Sequence, residues 1–288
     1  MSLNYKTIKG WQFADVAHEY TEKDTILYAL SLGLGNAPLD RQQLRFVYEK
    51  QLQVFPTMPV VLGHPGFWLS DPKAGVTWVK VVHGEQRLTL HNPVPGAGKV
   101  IGRSRVSRVV DKGADKGALI VVESRLYGTP GDTLLATSEK TIFCRADGGF
   151  GESDRAAEPL PPVPPDNPET AWTLSVPTQA ALLYRLNADR NPLHADPDVA
   201  SQAGYRQPIL HGLYTYGLAA HAVLRSYCGY DPQRLAYIHA RFSAAVFPGE
   251  TLRCEMWRTG PETVQFQVKA LERNIVAISH GISGIKTP

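Results

Sequence analysis

The sequence predicts an α+β chain in which one unit is used twice, each time a buried helix wrapped by an antiparallel sheet. Three observations carry this expectation: apolar helical stretches open near Thr21 and Gly212, runs of period two follow each helix, and a Pro/Gly-rich segment separates the two sets. The expected organisation is an N-terminal unit over 1–145, a linker over 146–170 and a C-terminal unit over 171–288.

The first helix starts at Thr21, which can cap, with Asp24 placing negative charge in the first turn. Ile26, Leu27, Ala29, Leu30 and Leu34 are apolar over more than one face, so the helix is expected to be buried. Gly33-Leu34-Gly35 follows a helix instead of a strand and reads as helix termination, not as a nucleotide loop. Strands are expected at Trp78 to Val82, Arg87 to His91, Val100 to Val110, Ala118 to Tyr127 and Thr133 to Phe143.

Residues 146–170 have no periodicity and several prolines, the mark of a stiff connection. The second helix, about Gly212 to Tyr227, is apolar nearly all round. Strands are expected at Leu235 to Phe247, Leu252 to Thr259, Thr263 to Glu272 and Ile275 to Ser283. Val264, Phe266, Val268 and Ala270 alternate with Gln265, Gln267 and Lys269, as in a sheet with one buried face. Val94-Pro95-Gly96 even recurs as Phe247-Pro248-Gly249. Helix as sausage and sheet as bun is the hot-dog arrangement, and two of them side by side make a double hot-dog whose sheets can join and remove two exposed edges.

With 288 residues and 43% hydrophobic composition, the chain is long enough for two such cores. Its 30 basic and 27 acidic residues nearly balance, and there is no long basic run, so no nucleic-acid partner is expected. The mild excess of +3 suits a phosphate-bearing small molecule. Cys144, Cys228 and Cys254 are far apart and in no CxxC pattern, which argues against a disulfide framework or a zinc cluster. No apolar run reaches the ~18 residues of a membrane span, and Lys286-Thr287-Pro288 is not a Ser-Lys-Leu tripeptide. The expectation is a cytoplasmic protein without a membrane partner.

The chemistry concentrates between Tyr184 and Gly217. Asp189, Asn191 and His194 offer a carboxylate, a carboxamide and an imidazole, and Pro192 holds Asn191 out of the helical region, so the segment turns. Asp196 can cap a short helix starting at Pro197 and stopping at Gly204. Ile209-Leu210-His211-Gly212 then leads into the second helix, where unpaired N–H groups favour developing negative charge. Asp before this kind of turn is ordinarily turn chemistry; the complete Asp189-x-Asn191-Pro192-Leu193-His194 followed by Pro208-Ile209-Leu210-His211-Gly212 is what reverses that reading.

Those two motifs resemble the hydratase motif of the MaoC-like, (R)-specific type 2 enoyl-CoA hydratases. YTEKDTILYALSLGLG near residues 20–35 and His83-Gly84-Glu85-Gln86 are similar to stretches of double hot-dog hydratase domains from peroxisomal multifunctional enzymes. The family usually has Ser-Gly-Asp where this chain has Asn187-Ala188-Asp189. The resemblance implies a hydro-lyase: syn addition of water to a trans-2-enoyl-CoA, an (R)-3-hydroxyacyl-CoA product, and neither metal nor redox cofactor.

On this reading Asp189 and His194 divide the proton transfers at one water, in either order. Asn191 orients the water or a catalytic side chain, and the Gly212 N–H faces the enolate oxygen. His211, Arg241 and Gly84 are the expected substrate-binding residues, the first as support for the Gly212 loop and Arg241 as a phosphate or pantetheine neighbour. The first unit is expected to be non-catalytic and to shape the acyl pocket; the partners are an acyl-CoA substrate and a second copy in a homodimer. Two alternatives share the scaffold: a hot-dog acyl-CoA thioesterase and a non-catalytic acyl-thioester-binding protein. A zinc hydrolase built on Asp189, His194 and His211 is chemically conceivable but has no family spacing behind it.

Overall fold

A computed structural model describes residues 3–187 and 189–287; Ala188 of the Asn187-Ala188-Asp189 departure, and Pro288 of the C-terminal tripeptide, lie outside the described residues. In chain order the first half contains α1 (Tyr5–Lys9), β1 (Val16–Tyr20), α2 (Glu22–Ser31), α3 (Arg41–Leu44), β2 (Val81–Leu90), β3 (Gly98–Asp111), β4 (Ala118–Thr129) and β5 (Thr133–Cys144). The second half contains β6 (Thr170–Ser175), α4 (Ala180–Tyr184), α5 (Pro197–Gln202), α6 (Gly212–Tyr227), β7 (Leu235–Phe242), β8 (Thr251–Gly260), β9 (Thr263–Ala270) and β10 (Ile275–Ile285).

The ten strands among the described residues form one sheet in the order β1-β3-β4-β5-β2-β7-β10-β9-β8-β6. Read outward from the centre, the first half runs 2-5-4-3-1 and the second 7-10-9-8-6, which is the same order shifted by five. The chain is thus a double hot-dog. The halves meet where β2 pairs antiparallel with β7, Glu85 opposite Arg241 and Thr89 opposite Tyr237. Joining there satisfies two rows of backbone groups that two separate sheets would leave as edges.

α6 is the sausage. Twelve of its 16 residues are buried, including Leu218, Ala219, Ala220, Val223 and Leu224, all at 0% exposure. Each large apolar side chain removed from water in this way contributes about 1.5–3 kcal/mol. The counterpart α2 corrects the expectation of a second all-round buried helix. It is only 10 residues long, buries Thr25, Tyr28, Ala29 and Ser31, and leaves Leu30 47% exposed. Its start follows the sequence: Asp24 accepts from the Thr21 N–H at 2.8 Å, closing a capping box. Its end does too, because Gly33 (φ 83°) and Gly35 (φ 88°) take left-handed conformations that an L side chain resists.

Other differences have local causes. Trp78–Lys80 is a 3₁₀ turn and not a strand, and Val81–Leu90 is one strand where two were expected, with a bulge between His83 and Glu85. β1 and β6 pass unnoticed in the sequence because each is short and lies at a sheet edge. The proline-rich connection packs onto the second half: the Pro162 carbonyl accepts from Gln265 Nε2 at 2.9 Å and the Asp166 carbonyl from Trp257 Nε1 at 2.9 Å. Gln265 is therefore buried, although alternation alone placed it in water.

Candidate active site

The turn after α4 is built as its residues dictate. Asn191 sits at φ −51°, ψ 124°, outside the helical region as the following proline requires. Its Oδ1 accepts from the Leu193 N–H at 3.0 Å and caps the 3₁₀ turn Pro192–His194. The carboxamide oxygen is thereby used inside the turn, where Asn191 supports the backbone that carries His194. Behind it, Asp196 accepts from the Asp198 N–H at 2.9 Å and caps α5, as expected from Asp-Pro.

Asp189 Oδ1 accepts from the Asn191 N–H at 3.0 Å, which aims the carboxyl group across the turn. His194 and His211 are buried at 8% and 2% exposure, and their rings stack with centroids 3.6 Å apart. One carboxylate oxygen of Asp189 and one ring nitrogen of each histidine lie within 4.8 Å of one another. A single water with two hydrogen bonds of ~2.8 Å spans up to about 5.6 Å, so it reaches both Asp189 and His194.

Hydrogen-bond partners fix the proton positions. His194 Nδ1 lies 2.8 Å from the Ile209 carbonyl, which can only accept, so Nδ1 carries the proton and Nε2 presents a lone pair. His211 Nε2 donates to the Asp189 carbonyl at 3.0 Å, leaving its buried Nδ1 without a partner among the described residues. His211 thus braces the backbone that carries the carboxylate.

Burial pushes the His194 imidazole below the ordinary histidine value; the Ile209 carbonyl and Asp189 oppose this only partly. Burial, reinforced by His194, takes His211 down to about 4. Desolvation pushes the Asp189 carboxyl up, but the Asn191 N–H and the nearby His194, His211 and Lys140 outweigh it and leave the group below the usual carboxylate range. The resting site therefore holds a carboxylate beside two neutral imidazoles.

Gly212 is the first residue of α6, so its N–H lies outside the intrahelical ladder. A Cβ at this position would sit 3.2 Å from the Phe242 ring, so glycine lets the helix start approach β7 closely. Phe242 in turn packs edge-on against His83 of the first half, centroids 4.8 Å apart. Gly84 lies in the β2 bulge beside Thr141, next to this seam.

Arg241 lies in β7 in an ion pair with the first half. Its Nε donates to Glu85 Oε1 at 2.8 Å, and Glu85 also pairs with Arg87 at 3.3 Å. The guanidinium ties β7 to β2 across the junction of the halves, and 40% of the side chain stays exposed.

The structure also brings in residues that the sequence did not single out. His64 and Lys140, both from the first half, feel the charge of Asp189. No motif marks either one, since His64 lies in an irregular stretch and Lys140 in an ordinary strand; only the folding of one half against the other reveals them. A cavity of about 340 Å³ lies elsewhere, between Leu52–Pro59, Leu90–Val94 and Pro232–Leu235, and the Asp/His cluster does not line it.

Comparison with known proteins agrees with this architecture. Residues 161–280 match the MaoC like domain and residues 18–146 the MFE-2 hydratase 2 N-terminal domain. The chain is 34% identical to a probable enoyl-CoA hydratase 2 of Dictyostelium discoideum, covering 99% of this chain and 98% of that protein. It is 36% identical to the peroxisomal multifunctional enzyme type 2 of Mus musculus over 94% of this chain, which is 37% of the longer mouse protein. Among solved structures, a MaoC-like dehydratase from Phytophthora capsici superposes with a TM-score of 0.88 at 29% identity, covering 99% of this chain and 100% of that one. With both halves matched and a full-length relative above 30% identity, the chain belongs to the MaoC-like, hydratase 2 family.

Proposed function

We propose that the chain is a reversible hydro-lyase that adds water to a trans-2-enoyl-CoA and gives the (R)-3-hydroxyacyl-CoA. The observation that carries this reading is the convergence of an Asp189 carboxylate oxygen and a ring nitrogen of His194 within 4.8 Å of each other, beside the Gly212 helix start.

His194 Nε2 takes a proton from the water as its oxygen bonds to C3. The π electrons move through C2 onto the thioester oxygen, where the Gly212 N–H accommodates the negative charge. The protonated His194 then returns the proton to C2, while the Asp189 carboxylate orients the water and stabilises the transient imidazolium. Oxygen and hydrogen come from one cluster on one side of the substrate, so addition is syn. Since His194 ends as it began, the same protonation state serves hydration and dehydration.

The chemistry moves one proton and no electrons to an acceptor, so CoA enters only as part of the substrate, and the reading includes neither metal nor redox cofactor. Two imidazoles and a carboxylate are nevertheless a donor set that a metal accepts, so dialysis against a chelator tests this point: activity is expected to be unchanged. In this reading the first half is non-catalytic and closes the acyl pocket through His83, Gly84 and Lys140. A cytoplasmic homodimer completes it, checked by sedimentation and cell fractionation.

The central test follows loss of the enoyl absorbance of crotonyl-CoA together with release of free thiol, and analyses the product on a chiral column. Loss of absorbance without thiol, giving the (R) product, is expected. Thiol release without hydration would make the chain a thioesterase instead.

A further inference from the structure

We propose that Asn187 and Ser31 form a positioning pair, a hydrogen bond from the first half that sets where Asp189 stands in the turn before His194. This rests on the hydratase reading and adds two positioning residues to it.

The turn has little apolar packing to hold it. Leu186, Asp189, Arg190 and Asn191 are exposed, and the helices on either side, α4 and α5, are only five and six residues long. Directional bonds must therefore fix its place. On the later side of Asp189, its carboxylate accepts from the Asn191 N–H and its carbonyl from His211 Nε2. On the earlier side the anchor is Asn187, two residues before Asp189 in the chain. Its Nδ2 donates to the Tyr184 carbonyl at 3.0 Å and to Ser31 Oγ at 3.1 Å.

These partners allow one orientation of the carboxamide. The Tyr184 carbonyl can only accept, and Ser31 Oγ already gives its proton to the Tyr28 carbonyl at 2.7 Å, so both face the NH2 group. Ser31 is the last residue of α2 and 3% exposed, and the buried Tyr28 is held in turn by a bond between its hydroxyl and Thr57 Oγ1 at 2.9 Å. The receiving hydroxyl thus has a fixed direction and a firm base. It lies 156 residues from Asn187 in the chain and belongs to the other half.

A second contact from α2 reaches the same backbone. The Tyr28 ring lies 6.0 Å from that of Tyr184, and Tyr184 lies 5.0 Å from the ring of His211, which braces the Asp189 carbonyl. α2 therefore bears on Asp189 from both sides, through Asn187 ahead of it and through Tyr184 and His211 behind. The serine that the family usually carries at position 187 has a shorter side chain, which bonds back to a carbonyl of the preceding turn and stops short of Ser31. The bond between the halves is a property of the asparagine in this chain.

The test is the set Asn187→Ala, Asn187→Ser and Ser31→Ala, assayed with crotonyl-CoA and by amide exchange. Ser31→Ala is expected to lower kcat about tenfold, and Asn187→Ala at least as much, with KM and Tm nearly unchanged, since a displaced carboxylate slows the reaction without removing a substrate contact. Asn187→Ser keeps the local bond and loses the one to Ser31, so it should match Ser31→Ala. Adding Ser31→Ala to Asn187→Ala should cost nothing further. Additive losses, a rise in KM alone, or an unchanged kcat in Ser31→Ala would overturn the proposal. Exchange of the Asn191 N–H, which is bonded to Asp189, is a readout independent of catalysis. Measured by NMR, it is expected to be about tenfold faster in Ser31→Ala than in wild type, and equal rates overturn the pair. Should Ser31→Ala not fold, Asn187→Ser decides on the same readouts. If wild type does not hydrate crotonyl-CoA the hydratase reading fails, and the exchange comparison still judges the pair separately.

Discussion

The two halves share a strand order and differ in what the sheet encloses. In the second half α6 fills the sheet with 16 residues, and its first residue, Gly212, starts the helix directly after His211. In the first half α2 is shorter and partly exposed, and the irregular chain from Gln51 to Lys80 does much of the covering. The difference teaches that the duplicated sheet needs only one full-length helix. On the proposed reading the second half keeps the machinery; from the first half, His83 packs against Phe242, and His64 and Lys140 feel the charge of Asp189.

The sharpest way to break the comparison is to remove the machinery from one half. Asp189→Asn and His194→Gln are each expected to reduce kcat for crotonyl-CoA by roughly 10² to 10⁴-fold with little change in Tm, measured by steady-state kinetics and calorimetry. His83→Gln in the other half should cost far less.

Gly212 separates the helix start from its side-chain space. Gly212→Pro removes the N–H at a first helical position, where proline is tolerated, and the preceding His211 already has φ −60° and ψ 135°. Gly212→Ala places a comparable Cβ against Phe242 but keeps the N–H. A kcat for Gly212→Pro roughly 10² to 10³-fold below that of Gly212→Ala is expected if the N–H holds the enolate oxygen; equal rates would remove Gly212 from the mechanism.

Contact between the helical layers is tested at Gly217, where a Cβ would come within 2.6 Å of Leu32 Cδ2. Gly217→Val is expected to destabilise by about 1–3 kcal/mol through overpacking. Truncating Leu32→Ala in that background should recover part of the loss, read from a denaturation double-mutant cycle.

Acid should weaken the fold through its buried histidines, two of them at and in α6. His211 and His221 are buried and held neutral, each with a pKa pushed down to about 4 by burial. An unfolded histidine titrates near ~6.5, so below that pH the unfolded chain binds more protons and stability falls, by up to about 1.4 kcal/mol per pH unit for each group until the folded value is reached. Tm is expected to drop between pH 6.5 and 4, and His221→Gln should flatten the slope.

The smallest effect belongs to the tie between halves. Arg241 is 40% exposed in its pair with Glu85, so Arg241→Met should cost only about 0–1 kcal/mol in urea denaturation. If it instead raised KM for CoA thioesters tenfold without loss of stability, Arg241 would regain the substrate-binding role expected from the sequence.

Much of the site was legible because it is local. Pro192 forces the turn, Asp196 and Pro197 start α5, and the apolar run after Gly212 makes α6, so short-range sterics and capping set Asp189, Asn191 and His194 within one segment. The sheet was legible through alternation, which failed where burial came from elsewhere. Gln265 is covered by the proline-rich connection, β1 and β6 are too short to show a period, and Leu30 is exposed despite its helix being apolar.

By itself, the sequence determined the duplicated α+β architecture and the shape of the Asp189–His194 turn, because both depend on residues close together in the chain. Only the tertiary structure decided the partners of those groups: the carbonyls that set the two histidine tautomers and the Glu85 that pairs with Arg241. These depend on how β2 meets β7 and how distant segments pack around them, and long-range contacts of that kind leave no periodic trace in a single chain.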